Sequence, residues 1–318
     1  MYTKYYGFNE KPFTLTPNPR FIYLSNNHKE AIAHLLYGIN NHYGFIELTG
    51  EVGTGKTTVL RTILSQHNYR SALIFNPFLT QIELLRSINT EFGLNSESKY
   101  TNDLLDELNS FLLQENERGI TVVLVIDEAQ NLSPEILEQL RLISNLETEN
   151  DKLIQIVLAG QPELSALLDL PELRQLKQRI SVRYRLQSMS MDETRSYIRH
   201  RMVIAGETGG VMFSRTALTL IHLYSRGLPR LINNLCDRVL LIGYGDGQRY
   251  ISFSIVIRAI SEILSTGKWK RYYILLAGTI TLILICVALI LTSNYAGSDW
   301  FGSMISGTQI NKSSRNIK

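Results

Sequence analysis

An α/β fold is what this sequence predicts: a mainly parallel sheet with helices on both faces and a smaller helical region behind it. Three observations carry the expectation. Continuous apolar runs at 44–49, 72–76, 122–126 and 153–159 alternate with stretches of helical periodicity and short connections, as strands buried on both faces do. A glycine-rich turn joins the first strand directly to a helix. An acidic pair closes the third strand.

Residues 1–43 form an arm and a helix expected to pack on the α/β part. Prolines at 12, 17 and 19 exclude a regular helix around them, because each lacks an amide hydrogen and restricts the residue before it. Tyr5, Tyr6, Phe8, Phe13, Phe21 and Tyr23 crowd the same stretch and demand burial. Two uses stay open for Phe21 and Tyr23: plain core packing, or a wall of the ligand site built by the next segments. From His28 to Asn40 the apolar residues fall at helical spacing.

Gly50-Glu51-Val52-Gly53-Thr54-Gly55-Lys56-Thr57, followed by Thr58, fits the pattern G-x-x-x-x-G-K-[ST] between a strand at 44–49 and a helix at 57–66. Its glycines let the backbone curl so that successive N–H groups point inward, and the helix start adds its positive dipole end. The loop is an anion cradle. Lys56 is then a point charge for the β- and γ-phosphates of a nucleotide, and the Thr57 hydroxyl a ligand for Mg²⁺. The run Val122–Ile126 ends in Asp127 and Glu128, at the carboxyl edge where an open α/β sheet presents its site. Asp127 is expected to hold Mg²⁺ through water, and Glu128 to polarise the attacking water.

Helices are expected at 80–92 and 101–116, the second with Leu104, Leu105, Leu108, Phe111 and Leu112 in one stripe and Gly119 stopping it. Ser133-Pro134-Glu135 opens another with a cap, a first-turn proline and an acid near the dipole. Gly160-Gln161-Pro162 ends the fourth strand. The segment 164–186 carries Arg174, Arg179, Arg183 and Arg185, and the alternation of Val182, Tyr184 and Leu186 with arginines gives a last strand at 180–186. The α/β region is thus 44–188. Everything beyond reads as helical, at 191–205, 214–224, 229–243 and 252–264, forming a separate small domain at 189–266.

Residues 272–292 hold no charge over 21 positions and are almost wholly apolar. A helix of that length spans about 30 Å, the hydrocarbon thickness of a bilayer. Lys268, Trp269, Lys270 and Arg271 precede it directly, which places the N-terminal side in the cytoplasm. The expectation is a single-pass inner-membrane protein with a polar extracytoplasmic tail at 293–318.

The whole-chain charge of +3 hides an asymmetry. Of the 32 Lys and Arg, six lie in 268–318 against Asp299 alone, leaving 26 bases and 28 acids before position 268, net −2. That argues against a large nucleic-acid footprint. Cys236 and Cys286 are far apart and read as buried thiols rather than a disulfide or zinc site. The six histidines form no metal-binding pattern and read as surface or core residues. No apolar run in the first thirty residues resembles a signal peptide.

With these motifs in order, the chain resembles the AAA+ P-loop ATPases, and among them the secretion ATPases of the ExeA, or general secretion pathway protein A, type. The resemblance covers about residues 1–265. It rests on Tyr6-Gly7-Phe8 with Lys11-Pro12-Phe13, the glycine-rich loop, Ile126-Asp127-Glu128-Ala129-Gln130-Asn131-Leu132-Ser133, Gly160-Gln161-Pro162-Glu163-Leu164 and Gly227-Leu228-Pro229-Arg230-Leu231-Ile232-Asn233. It implies ATP and Mg²⁺ as ligands and 189–266 as a lid. It also implies Gln161 as the sensor of the γ-phosphate and Arg230 as the lid's sensor arginine. Arg179, with Arg174 as the second candidate, is implied as a finger acting on a neighbouring subunit's ATP, which requires a ring or other oligomer. The implied partners are membrane-embedded proteins of an envelope secretion, pilus or exopolysaccharide export system, together with membrane lipid. The secretin-assembly members carry a peptidoglycan-binding region after the span, and here a short tail stands in that place. A nucleic-acid helper ATPase of the transposition or loader type, and a nucleotide-gated scaffold with negligible turnover, are the alternatives.

Overall fold

The structure is a computed structural model that describes residues 1–16, 18–66, 68–75, 79–148, 151–206 and 209–265. The expected span at 272–292, its basic flank, the tail and Cys286 lie outside the described residues. None of the described helices is long and apolar enough to cross a membrane. Met1–Val256 form one compact unit and Ile257–Lys318 a second.

The chain opens with α1 (Tyr2–Tyr6), a 3-10 turn at Pro19–Phe21 and α2 (Asn26–Asn40). Then β1 (Phe45–Gly50), α3 (Lys56–Gln66), β2 (Arg70–Ile74), α4 (Gln81–Phe92), α5 (Thr101–Glu117), β3 (Val122–Ile126), α6 (Pro134–Ile143) and β4 (Ile154–Gly160) alternate as expected. Two short helices, α7 (Glu163–Leu168) and α8 (Arg174–Arg179), lead into β5 (Ile180–Leu186). All pairings in this sheet are parallel, in the order β2-β3-β4-β1-β5. From β1 the chain crosses to the far edge at β2 and works back, so the loop after β1 opens at the switch in strand order, where open sheets bind ligands.

Period-2 alternation divides the core. Val122, Leu124 and Ile126 face one cluster with α4, α5 and α6, while Val123 and Val125 face the other with α2 and α3. Full burial of each such side chain contributes about 1.5–3 kcal/mol, which is why β3 reads as one unbroken apolar run. β2 begins two residues earlier than the apolar pattern suggests, because Arg70 and Ser71 already pair with Val122 and Val123. The Ser133 hydroxyl, expected to cap α6, makes no cap bond to its backbone. It binds the Glu135 carboxylate instead and holds that carboxyl below its ordinary pKa.

After β5 come α9 (Met191–Ile204), β6 (Met212–Phe213), α10 (Arg215–Ser225), α11 (Pro229–Gly245), β7 (Tyr250–Ile251) and α12 (Phe253–Ser265). The wholly helical reading is corrected here, since β6 and β7 form a small parallel pair. At two residues each, neither is long enough to show a period. The start of the arm fastens to this region: the Tyr2 hydroxyl donates to Asp237, and the Tyr6 hydroxyl lies 3.0 Å from the Gln248 carbonyl and 3.2 Å from that of Leu240.

Candidate active site

The loop between β1 and α3 curls as its glycines require. Gly53 and Gly55 have φ of 82° and 105°, the left-handed side that costs other residues strain. Neither has room for a side chain. A Cβ on Gly53 would lie 2.7 Å from Cβ of Arg230, and one on Gly55 2.6 Å from Nε2 of His28. Thr54, buried at the apex, donates from its hydroxyl to the Glu51 carbonyl at 2.8 Å. Lys56 folds over the loop, donating to the carbonyls of Gly50 at 2.7 Å and Glu51 at 3.3 Å. Burial pulls its pKa down, against the opposing pull of Glu128, Asp127, Glu51 and Glu163.

Thr57 donates to Asp127 Oδ2 at 2.7 Å, joining the start of α3 to the end of β3. A hydroxyl and a buried carboxylate meeting there suit a divalent cation that takes its other positions from phosphate and water. Glu128 is a non-glycine residue at φ 56°, a conformation with a cost of about 1–3 kcal/mol that tends to mark functional positions. Its carboxylate is held by two amides. Gln130 Nε2 donates to Glu128 Oε2 at 2.6 Å and Gln161 Nε2 to the same oxygen at 3.4 Å, while Gln130 Oε1 accepts the Gln161 backbone N–H at 3.0 Å.

Gly53, Lys56, Thr57, Thr58, Glu128 and Arg230 line a cavity of about 580 Å³, a size that suits a small-molecule ligand. Val52 lines it with an exposed side chain. Phe21 and Tyr23 of the arm form another wall, so the structure seats them at the cavity, where Tyr23 also stacks edge-on against Tyr197. Arg201 of α9 lies beneath them. It is buried, donates to the Pro12 carbonyl at 2.6 Å and the Tyr197 hydroxyl at 3.0 Å, and sits 4.8 Å over the Phe21 ring.

The structure therefore gathers the loop residues, Asp127, Glu128, Gln161 and Arg230 at one place. Arg179 and Arg174 stand elsewhere. Arg179 donates to Ser144 Oγ at 3.0 Å and to Asn145 on the turn after α6, and Arg174 is exposed at the start of α8. Sequence reasoning overlooked Gln130, although it sits two residues past Glu128. It also took His28 for an ordinary core or surface histidine. The His28 ring lies 2.9 Å from the Thr54 carbonyl through Nε2 and 2.6 Å from Ser25 Oγ through Nδ1. A carbonyl accepts only, so Nε2 carries the hydrogen and Nδ1 accepts from the serine. Burial pushes the pKa of His28 down and keeps this neutral form.

The AAA domain family matches residues 39–168, the stretch that holds the loop and both carboxylates. General secretion pathway protein A of Aeromonas hydrophila is 42% identical over 309 residues, 95% of this chain and 55% of its own length. An AAA domain is thus matched at the site, and the chain is similar to that secretion pathway protein along nearly its whole length. The chain spans about half the length of the curated relative it matches. Among solved structures, the Aeropyrum pernix ORC2 protein in ADPNP–ADP complexes has a TM-score of 0.60 at 17% identity, covering 80% of this chain and 72% of that one. The Thermotoga maritima RuvB branch migration motor has a TM-score of 0.52 at 20% identity, covering 77% and 73%. At such identities the likeness speaks for the fold alone.

Proposed function

We propose that this AAA+ ATPase is anchored in the bacterial inner membrane with its catalytic part in the cytoplasm. On this reading it hydrolyses MgATP to drive or regulate assembly of an envelope secretion, pilus or exopolysaccharide export system. The observation that carries the reading is the meeting of Lys56, Thr57 and Glu128 at one cavity, with Asp127 bonded to Thr57 beside it, in a chain 42% identical to general secretion pathway protein A. The division into an arm at 1–43, a nucleotide-binding domain at 44–188, a lid at 189–266, a span at 272–292 and a tail at 293–318 belongs to it.

The site residues take these roles. Backbone N–H groups of 50–55 and the Lys56 ammonium bind the phosphates. Thr57 and Asp127 would hold Mg²⁺, which when bound neutralises charge on the β- and γ-oxygens. Glu128 takes a proton from the attacking water, whose oxygen bonds to the γ-phosphorus as the bond to the leaving oxygen breaks. Gln161 orients that carboxylate and reports on the γ-phosphate, Arg230 couples the lid to the phosphates, and Arg179 completes a neighbouring copy's site in an oligomer.

Two measurements test the proposal. The full chain is expected in the membrane fraction through its apolar segment at 272–292, and recovery as soluble protein would remove the anchor. Its ATPase rate is expected to be indifferent to DNA at any salt. Stimulation by DNA that collapses steeply as salt rises would instead mark phosphate-backbone contacts and make it a nucleic-acid helper.

A further inference from the structure

The first turn of α2 touches both the phosphate loop and the lid, and the roles given above use none of its residues. On one side, the buried His28 ring fills the space beside Gly55 and donates to the Thr54 carbonyl at the loop's apex, braced from behind by Ser25 Oγ. On the other side, Glu193 in the first turn of α9 accepts the Asn26 N–H at 2.9 Å with one carboxylate oxygen and the Ser190 N–H at 2.9 Å with the other. One carboxylate thus closes the N-termini of two helices at once. Asn27 Nδ2 adds a 3.4 Å bond to the Ser188 carbonyl in the connection between β5 and α9.

We infer that His28 is a positioning residue for the phosphate loop, and that Glu193 ties its helix turn to α9, so that loop geometry and the first lid helix are set together. The physical reason lies in the loop's composition. Glycines that permit the cradle's φ angles also leave it free to leave them, so its amides point at phosphate only if something fixes the apex. The Thr54 carbonyl is the handle, and the imidazole that grips it is itself fixed from behind and wedged against Gly55. A bond from Glu193 to the Asn26 amide, at the start of the same turn, passes any tilt of α9 to that grip.

The inference rests on the ATPase reading for its kinetic arm, and amide exchange supplies an arm that does not. In the full chain without nucleotide, His28→Leu keeps an apolar side chain in the slot but removes the donor. It is expected to speed exchange of the amides of residues 53–58 about tenfold and to raise KM for ATP by a similar factor, the scale of one net hydrogen bond. Turnover at saturating ATP should change by less than about threefold, since the loop acts on bound phosphate in ground and transition states alike. His28→Gln, which restores an N–H donor, should bring both quantities back to within about threefold of the parent. Glu193→Ala should speed exchange at 53–58 as well, although its own cap lies on another helix. A histidine that merely fills space predicts otherwise: the Leu variant would exchange like the parent at 53–58, or Gln would fare no better than Leu. Either result overturns the inference, and so does exchange at 53–58 that ignores Glu193→Ala. A parent protein without hydrolysis would count against the ATPase reading while leaving the exchange results to decide this one.

Discussion

The phosphate loop and Arg179 are both held by hydrogen bonds, but to opposite ends. The loop is gripped by its own unit on several sides: Lys56 folds onto Gly50 and Glu51, Thr57 reaches Asp127, His28 holds the Thr54 carbonyl, and Arg230 lies against Gly53. Arg179 is fixed by the turn after α6, at Ser144 and Asn145, and does not line the cavity. A site preorganised within one chain is complete in that chain's geometry. On the proposed reading Arg179 is aimed at another copy, and its bonds to Ser144 and Asn145 keep it aimed.

The sharpest way to break that contrast is Arg179→Ala. If it serves a neighbour, hydrolysis falls about 10³-fold, the lower range for a finger supplied in trans. Mixing with Glu128→Gln copies, which keep the arginine but lack the base, should restore part of the rate. A rate that mixing never restores would make Arg179 a structural residue. At the end of β3, Glu128→Gln should bind ATP as the parent does and hydrolyse it about 10²–10⁴-fold more slowly, the scale of general base catalysis. Lys56→Ala should weaken nucleotide binding by about 10–100-fold, the worth of a charged hydrogen bond. Parent-like turnover in both would refute the site.

A smaller effect separates Gln130 from Gln161. Gln130→Leu removes the shorter amide bond to Glu128 and is expected to lower kcat about tenfold with KM unchanged, one charge-assisted hydrogen bond's worth. An increase in KM with constant kcat would place Gln130 in binding instead. The smallest effect concerns pH. Burial sets the His28 pKa below its ordinary 6.5, so between the two values the unfolded chain carries the extra proton. The stability it contributes is whole above the unfolded pKa and drains away as pH falls through the window down to the folded value. Taken from pH 7.5 to 5.5, His28→Gln should lose less of its thermal midpoint than the parent, by on the order of 2 °C.

How much of this was legible in the sequence follows from how far apart the partners lie. The loop glycines, Lys56 and Thr57 are neighbours in sequence, so their geometry is written locally, and the run Val122–Ile126 announces its two-sided burial by composition. Gln161 and Glu128 were both readable as ends of strands, but their contact depends on β3 and β4 pairing in register. Gln130 escaped because its side chain turns back along a 3-10 turn, where no period exists to follow. His28 escaped for a different reason: its partner is a backbone carbonyl 26 residues away, and a carbonyl leaves no trace in the amino-acid code. β6 and β7 pair across a gap of two helices and are too brief to bias composition.

Arg201 brings its charge into the interior with carbonyls, a phenol and an aromatic face for company. Those acceptors belong mostly to the arm, at Pro12 and Thr14, while the guanidinium belongs to α9. The strand of chain bearing Phe21 and Tyr23 is therefore a passenger on that helix. A pivot of α9 would carry Phe21 and Tyr23 with it and redraw the rim of the cavity they wall.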